Sequence, residues 1–267
     1  MFKNDKQKAG EKALERQSEI YEQEKYQASK QEKTYIGAYS YDSNPFLNNY
    51  LRAGKNTDYR EGYFPADAKV AKDSHGRTQD FLGIVKRLPA TGNVVLYRGG
   101  SGARGTSGMF FRSGKIKKDD ILINTDFSSF TESQAIASEF AMVKDNEDGH
   151  FDDTSVIFKI VSHYSAKAIA PYSIRSGDPY FEAESLVSPG HAFKVRNIAL
   201  NSSVKGGYVE VELEEVDRVK SDIRKGALAS SITFPDNVYD LRTGEPIDVD
   251  ILIERLGLDE VKELGLI

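Results

Sequence analysis

The sequence predicts an α+β fold, and three observations carry the prediction. Residues up to 88 hold amphipathic helical patterns. From Val94 onward the pattern turns to short apolar or alternating runs typical of strands. A single helical pattern, over 132–144, interrupts those strands. Helices grouped first and strands grouped second are the order of an α+β layout rather than of a repeating βαβ unit.

Taken in order, residues 1–33 are a mixed-charge run with one glycine and no proline. Lys8/Glu11, Lys12/Glu15 and Arg16/Glu19 are opposite charges at i,i+3, which favours helix. Leu14, Tyr21 and Ala28 recur seven apart and form one thin apolar seam. The segment is read as a helix or disordered arm, either solvated or used to dock a partner or to self-associate. Ser43-Asn44-Pro45 opens a short helix with apolar face Phe46, Leu47, Tyr50 and Leu51, and Gly54 follows it. A second helix starts near Thr78, shows Phe81, Leu82, Val85 and Leu88 on one face, and stops at Pro89. Strands follow at 94–98, about 121–127, 154–162, 166–170, 184–187, 192–199 and 207–216, with a loop from Asp145 to Asp153. Residues 218–267 change character, with turns at Pro235-Asp236 and Thr243-Gly244-Glu245-Pro246 and short helices at 248–256 and 259–264. They are read as a C-terminal extension packed on a core domain of residues 34–217.

Composition narrows the function classes. The 267 residues carry a net charge of −5, so neither a basic nucleic-acid footprint nor a polybasic membrane anchor shows in the total. A local basic patch for nucleic acid stays open. The absence of cysteine excludes disulfides, thiolate metal sites and a cysteine nucleophile. His75, His150, His163 and His191 show no metal-ligand spacing, and no metal is expected. No apolar run approaches the length of a membrane span, and the N-terminus lacks the apolar core of a signal peptide.

The chemistry concentrates in three segments. Tyr180-Phe181-Glu182-Ala183-Glu184-Ser185-Leu186-Val187 places two glutamates two apart, and in a strand both would project to one face. Glu210, Glu212 and Glu214 also alternate, but with apolar residues between them, the ordinary pattern of a half-buried strand. Asn93-Val94-Val95-Leu96-Tyr97-Arg98-Gly99-Gly100 reads as a buried strand ending in an arginine and glycines. Thr125-Asp126-Phe127-Ser128-Ser129-Phe130-Thr131 is polar and aromatic and runs into the helix pattern of Ala135, Ile136, Glu139, Phe140 and Val143.

In this order, Tyr-Arg-Gly, Phe-x-Ser-Phe-Thr and Glu-x-Glu over roughly Tyr41 to Val216 resemble the Arg-Ser-Glu class of mono-ADP-ribosyltransferases, the cholera-toxin-like and bacterial exoenzyme group that includes phage enzymes. The resemblance implies two packed, mainly antiparallel sheets flanked by helices around a cleft for NAD. It implies transfer of ADP-ribose from NAD to an acceptor, an arginine of a target protein in first place, with NAD hydrolysis as a side activity. A nucleic acid or small molecule as acceptor, or a non-catalytic particle-associated protein, are the rival readings. The same resemblance assigns Glu184 to the nicotinamide ribose and to the positive charge of the transition state, and Glu182 to the acceptor guanidinium. It assigns Arg98 to the phosphates or ribose, and to Gly99 a backbone contact with the nicotinamide amide that a side chain would block. Ser129, with Ser128 as the alternate register, braces Glu184, while Phe130 and Thr131 replace the usual Thr and Ser beside the nicotinamide. Tyr172, Tyr180 and Phe181 fall in the substrate-recognition loop, as stacking residues or as apolar anchors. The expected locale is the cytoplasm of the producing or target cell, reached by a phage particle or a signal-independent route.

Overall fold

The computed structural model describes residues 2–56, 64, 69–144, 149–173, 182–216 and 237–263. Helices α1 (Phe2–Gln23) and α2 (Lys30–Ala38) open the chain, and a π-type turn (Tyr39–Ser43) leads to α3 (Asn44–Ala53) and α4 (Ser74–Arg87). Strand β1 (Leu96–Gly100), the single turn α5 (Met109–Arg112), β2 (Ile121–Ile123), β3 (Ser128–Thr131) and α6 (Gln134–Ala141) follow. Then come β4 (Val143–Lys144), β5 (Gly149–His150), β6 (Val156–Ser162), β7 (Lys167–Ala168), β8 (Glu184–Val187), β9 (Ala192–Ser203), β10 (Gly206–Val216) and β11 (Val238–Asp240). Helices Val249–Leu256 and Leu258–Glu263 end the described part. The chain divides into two compact units. The first is Met1–Gly92 with Asp126–Glu132 and Ser165–Ser188, and the second is Asn93–Thr125 with Ser133–Tyr164 and Pro189–Ile267.

In the first unit, helices α1 to α4 accompany the antiparallel ladder β3–β8–β7. Its core is aromatic. Phe81 lies 4.6 Å from Phe127 and 5.4 Å from Tyr39 between ring centroids, and Tyr35 stacks on Phe81 at 5.9 Å. Each such ring buried is worth about 1.5–3 kcal/mol, and each ring pair about 0.5–1.5 kcal/mol more. Phe127 directly precedes β3, so this cluster sets the place of that strand. Asn48 on α3 completes the anchor: its amide donates to the Phe127 carbonyl (2.9 Å) and accepts from the Phe127 N–H (3.0 Å).

The N-terminal region differs from the single helix expected over 1–33. Helix α1 stops where Lys25 adopts a left-handed φ of 51° and the Tyr26 N–H bonds back to the Tyr21 carbonyl. Ser29 then caps α2 in a reciprocal capping box with Glu32. The buried face of α1 is Gly10, Ala13, Gln17 and Tyr21; of the expected Leu14/Tyr21/Ala28 seam, Tyr21 and Ala28 are buried, while Leu14 is part-exposed and Ala13 takes its place. Helix α1 belongs to the same compact unit as α2 to α4. Likewise α4 starts at Ser74 rather than near Thr78, because the Asp73 carboxylate accepts the Gly76 N–H at 2.7 Å and caps the earlier turn. Residues 166–170 are not one strand: β7 is short, and Pro171 lies in a 3₁₀ turn, Ala170–Tyr172.

In the second unit the strands run β11-β2-β9-β10-β6-β1. The β1/β6, β9/β10 and β2/β9 ladders are antiparallel, while β10/β6 and β11/β2 are parallel. Arg98 sits in the middle of β1, opposite Phe158, rather than at a strand end. Residues 238–240 of the expected C-terminal extension are a sheet strand, β11, and the Thr125 hydroxyl bonds to the Asp240 carboxylate. Helix Val249–Leu256 lies where a short helix was expected, capped by Asp248. The expected turn at Pro235-Asp236 lies outside the described residues.

Candidate active site

Strands β3 and β8 pair with Thr131 opposite Glu184 and Ser129 opposite Leu186. Ser129 is therefore the diagonal neighbour of Glu184 on one face, within reach of a long side chain. The Ser129 hydroxyl donates to Glu184 Oε1 at 2.7 Å, and the Ser173 hydroxyl donates to Oε2 at 3.3 Å. Glu184 is only 6% exposed. A carboxylate withdrawn from water to this degree needs donors on both oxygens, and here two hydroxyls provide them. Tyr39, in the π-type turn, places its hydroxyl 3.2 Å from Ser129 Oγ and donates to the Phe127 carbonyl at 3.0 Å.

Between the two serines the register is geometric. Ser128 turns away and donates to Asp126 Oδ1 at 2.7 Å, and Asp126 in turn pairs with Arg52 at 2.6 Å. Alternation also separates Phe130 from Ser129: Phe130 is 1% exposed and lies in the core, and Thr131 is buried as well.

Glu182 and Glu184 are not alternating residues of one strand, as the spacing suggested. Strand β8 begins at Glu184, and Ala183 has a left-handed φ of 50°. Alternation holds only for extended backbone, so it fails across Ala183. Ala183 is fully buried and Glu182 half-buried. A non-glycine residue in this region is uncommon and costs of order 1–3 kcal/mol, and such residues cluster at functional sites.

Tyr172 is anchored. Its ring meets Tyr21 edge-on at 5.1 Å, and Lys33 Nζ lies 5.3 Å from its centroid. Burial, then the neighbouring Tyr172 and Tyr26, push the Tyr21 phenol well above its ordinary value, so it stays a neutral donor to the Ala168 carbonyl at 2.7 Å. Tyr180 and Phe181 lie outside the described residues.

In the second unit, Arg98 is half-buried on β1. Gly99 has a packing reason that the sequence did not reveal. A Cβ there would sit 1.8 Å from the Ala137 carbonyl oxygen of α6, so glycine lets that helix lie against β1. Ser133 caps α6 by accepting the Ile136 N–H at 3.4 Å.

Sequence reasoning missed Ser173, Tyr39, Asn48 and Gln17. Ser173 lay inside the loop already singled out. The others sit in helical segments outside the three motifs.

Compared with protein-family models and with curated proteins, the sequence matches none. Solved structures do match. The ADP-ribosyltransferase Vis of Vibrio splendidus, in complex with agmatine, is 19% identical, with a TM-score of 0.57 over 89% of this chain and 94% of that one. An ADP-ribosyltransferase of Clostridium botulinum is 18% identical, with a TM-score of 0.52 over 77% of this chain and 94% of that one. The ADP-ribosylating toxin BECa of C. perfringens, with NADH, has a TM-score of 0.51 at 16% identity, over 77% of this chain and 48% of that one. The chain thus has the mixed α+β fold of the ADP-ribosyltransferase toxins, as its three motifs implied.

Proposed function

We propose that this protein is a mono-ADP-ribosyltransferase that takes ADP-ribose from NAD and transfers it to an arginine of a target protein. A fold alone does not assign an activity. The observation that carries the reading is the buried Glu184 carboxylate, held through one oxygen by Ser129 and through the other by Ser173. A fixed carboxylate in a poorly hydrated site is suited to stabilise positive charge that develops on a sugar's anomeric carbon.

NAD supplies a pyridinium leaving group on an N-glycosidic bond. That bond breaks, its electron pair leaves with neutral nicotinamide, and the anomeric carbon bonds to an acceptor nitrogen. Glu184 stabilises the charge at that carbon. Glu182, displaced from the strand by the left-handed Ala183, orients the acceptor guanidinium and takes its proton. Arg98 offers a planar fork to phosphate or ribose oxygens. Agmatine, bound by the Vis enzyme, carries a guanidinium, which supports arginine as the acceptor class. The toxin neighbours support an effector role; action in the cytoplasm of the producing or target cell, with delivery by a phage particle or a signal-independent route, belongs to the same proposal.

The test is to incubate the protein with labelled NAD and cell lysate, then digest with protease or nuclease. Label on a protein band that neutral hydroxylamine releases, as expected of an ADP-ribosyl-arginine bond, supports the reading. Label that only nuclease removes moves the acceptor to nucleic acid. No consumption of NAD sinks the activity.

A further inference from the structure

The N-terminal helix carries ten charged residues among its 22, yet one of its polar residues is fully buried. Gln17 is 0% exposed. Its amide nitrogen lies 3.2 Å from the Glu184 carbonyl, 3.2 Å from Ser185 Oγ and 3.3 Å from Glu132 Oε1. Its amide oxygen accepts the Ala170 N–H at 3.0 Å. The amide thereby ties together two things: the backbone of Glu184, and the start of the turn Ala170–Tyr172 that precedes Ser173, whose hydroxyl holds Glu184 Oε2.

The neighbouring Arg16 grips the other strand. Its guanidinium engages both carboxylate oxygens of Glu132, one residue beyond β3, with Nε to Oε2 at 3.0 Å, and it donates to the Thr91 carbonyl at 2.5 Å. A planar fork on a carboxylate fixes orientation as well as distance. Adjacent residues of α1 thus bind the two strands that carry Ser129 and Glu184.

Docking a helix needs no such arrangement. Ala13 and Tyr21 already bury apolar surface on the same face. A buried polar network costs desolvation that apolar side chains would avoid, and what it adds is a defined geometry. We infer that α1 is part of the frame of the reaction site, with Gln17 the positioning residue for Glu184 and Arg16 the positioning residue for the strand that carries Ser129. The inference deepens the transferase reading and rests on it for the word reaction.

Gln17→Met keeps the volume and removes the amide. The expected result is a fall in kcat for NAD hydrolysis of roughly 10- to 100-fold with little change in KM for NAD, the scale of a small misplacement at a reacting centre. In a Glu184→Gln background the same change should add almost nothing, because the group it positions is already disabled. Amide hydrogen exchange should quicken in peptides 168–173 and 182–187 while the rest of the chain keeps its protection. Arg16→Lys should act in the same direction and more weakly, and it takes the same measurements should Gln17→Met fail to fold. Equal losses in both backgrounds, or exchange that quickens everywhere, would reduce Gln17 to general stability and overturn the inference. If the wild-type protein consumes no NAD, the transferase reading fails, and the exchange pattern alone decides whether α1 positions Glu184.

Discussion

Two runs of glutamates share one spacing and meet different fates. On β10, Val209, Val211 and Leu213 are buried, and Glu210, Glu212 and Glu214 alternate with them on the half-solvated face. There Glu212 pairs with Lys159 at 3.2 Å, Glu214 with Arg196, and Glu210 accepts from the Gln134 amide at 3.4 Å. Before β8, by contrast, the left-handed Ala183 breaks the alternation, and Glu184 is drawn inward onto two hydroxyls. Identical local spacing therefore says little about a carboxylate's work. What separates the two is whether its partners are flexible cations at the surface or hydroxyls fixed by distant parts of the fold.

The contrast can be tested from its strong end downward. Glu184→Gln removes the charge and keeps the shape, so transfer and NAD hydrolysis should both fall on the order of 10²–10³-fold, with little change in NAD binding. Steady-state kinetics with a binding titration measures both, and near-normal turnover would refute the assignment of Glu184.

Glu182→Ala should divide what Glu184→Gln abolishes together. Transfer to an arginine acceptor should fall about 10²-fold, the low end for loss of a general base, while hydrolysis by water persists. Parallel losses of the two rates would take away the acceptor-specific role.

Removing the brace is a smaller perturbation. Ser129→Ala deletes one hydrogen bond to a charged group, worth about 1.5–3 kcal/mol, and that loss should be visible in kcat. Ser128→Ala, one residue away, touches the Asp126 network instead and should leave kcat near the wild-type value. Equal effects of the two would mean that the register is wrong.

The smallest effect belongs to the control strand. Glu212→Gln breaks a half-buried pair with Lys159 that still faces solvent, and should change stability by no more than about 1 kcal/mol and turnover not at all. Thermal melts and kinetics on this variant calibrate the others, and a large loss here would erase the distinction between the two runs.

Much of the fold is legible in the sequence, and particular residues show why. The helix starting at Asn44, the helix ended by Pro89 and the buried/half-buried alternation of β10 follow from caps, proline and alternation, which act within a few residues. Ser129 and Glu184 can be named because each stands in a short motif. The break between α1 and α2 is also readable, since Ser29 and Glu32 have capping-box spacing, but the run of charge pairs draws the helix through it.

Chain order and local chemistry thus determined the element types, the three motifs and the α+β layout. Tertiary structure decided which glutamate is withdrawn from water, which serine faces it, why Gly99 must lack a side chain, and that a charged N-terminal helix reaches the site. Those outcomes depend on partners far away in sequence: 55 residues separate Ser129 from Glu184, and 167 separate Gln17 from it. Burial and hydrogen-bond satisfaction arise only when such segments meet, and no local window of sequence contains both members of the contact.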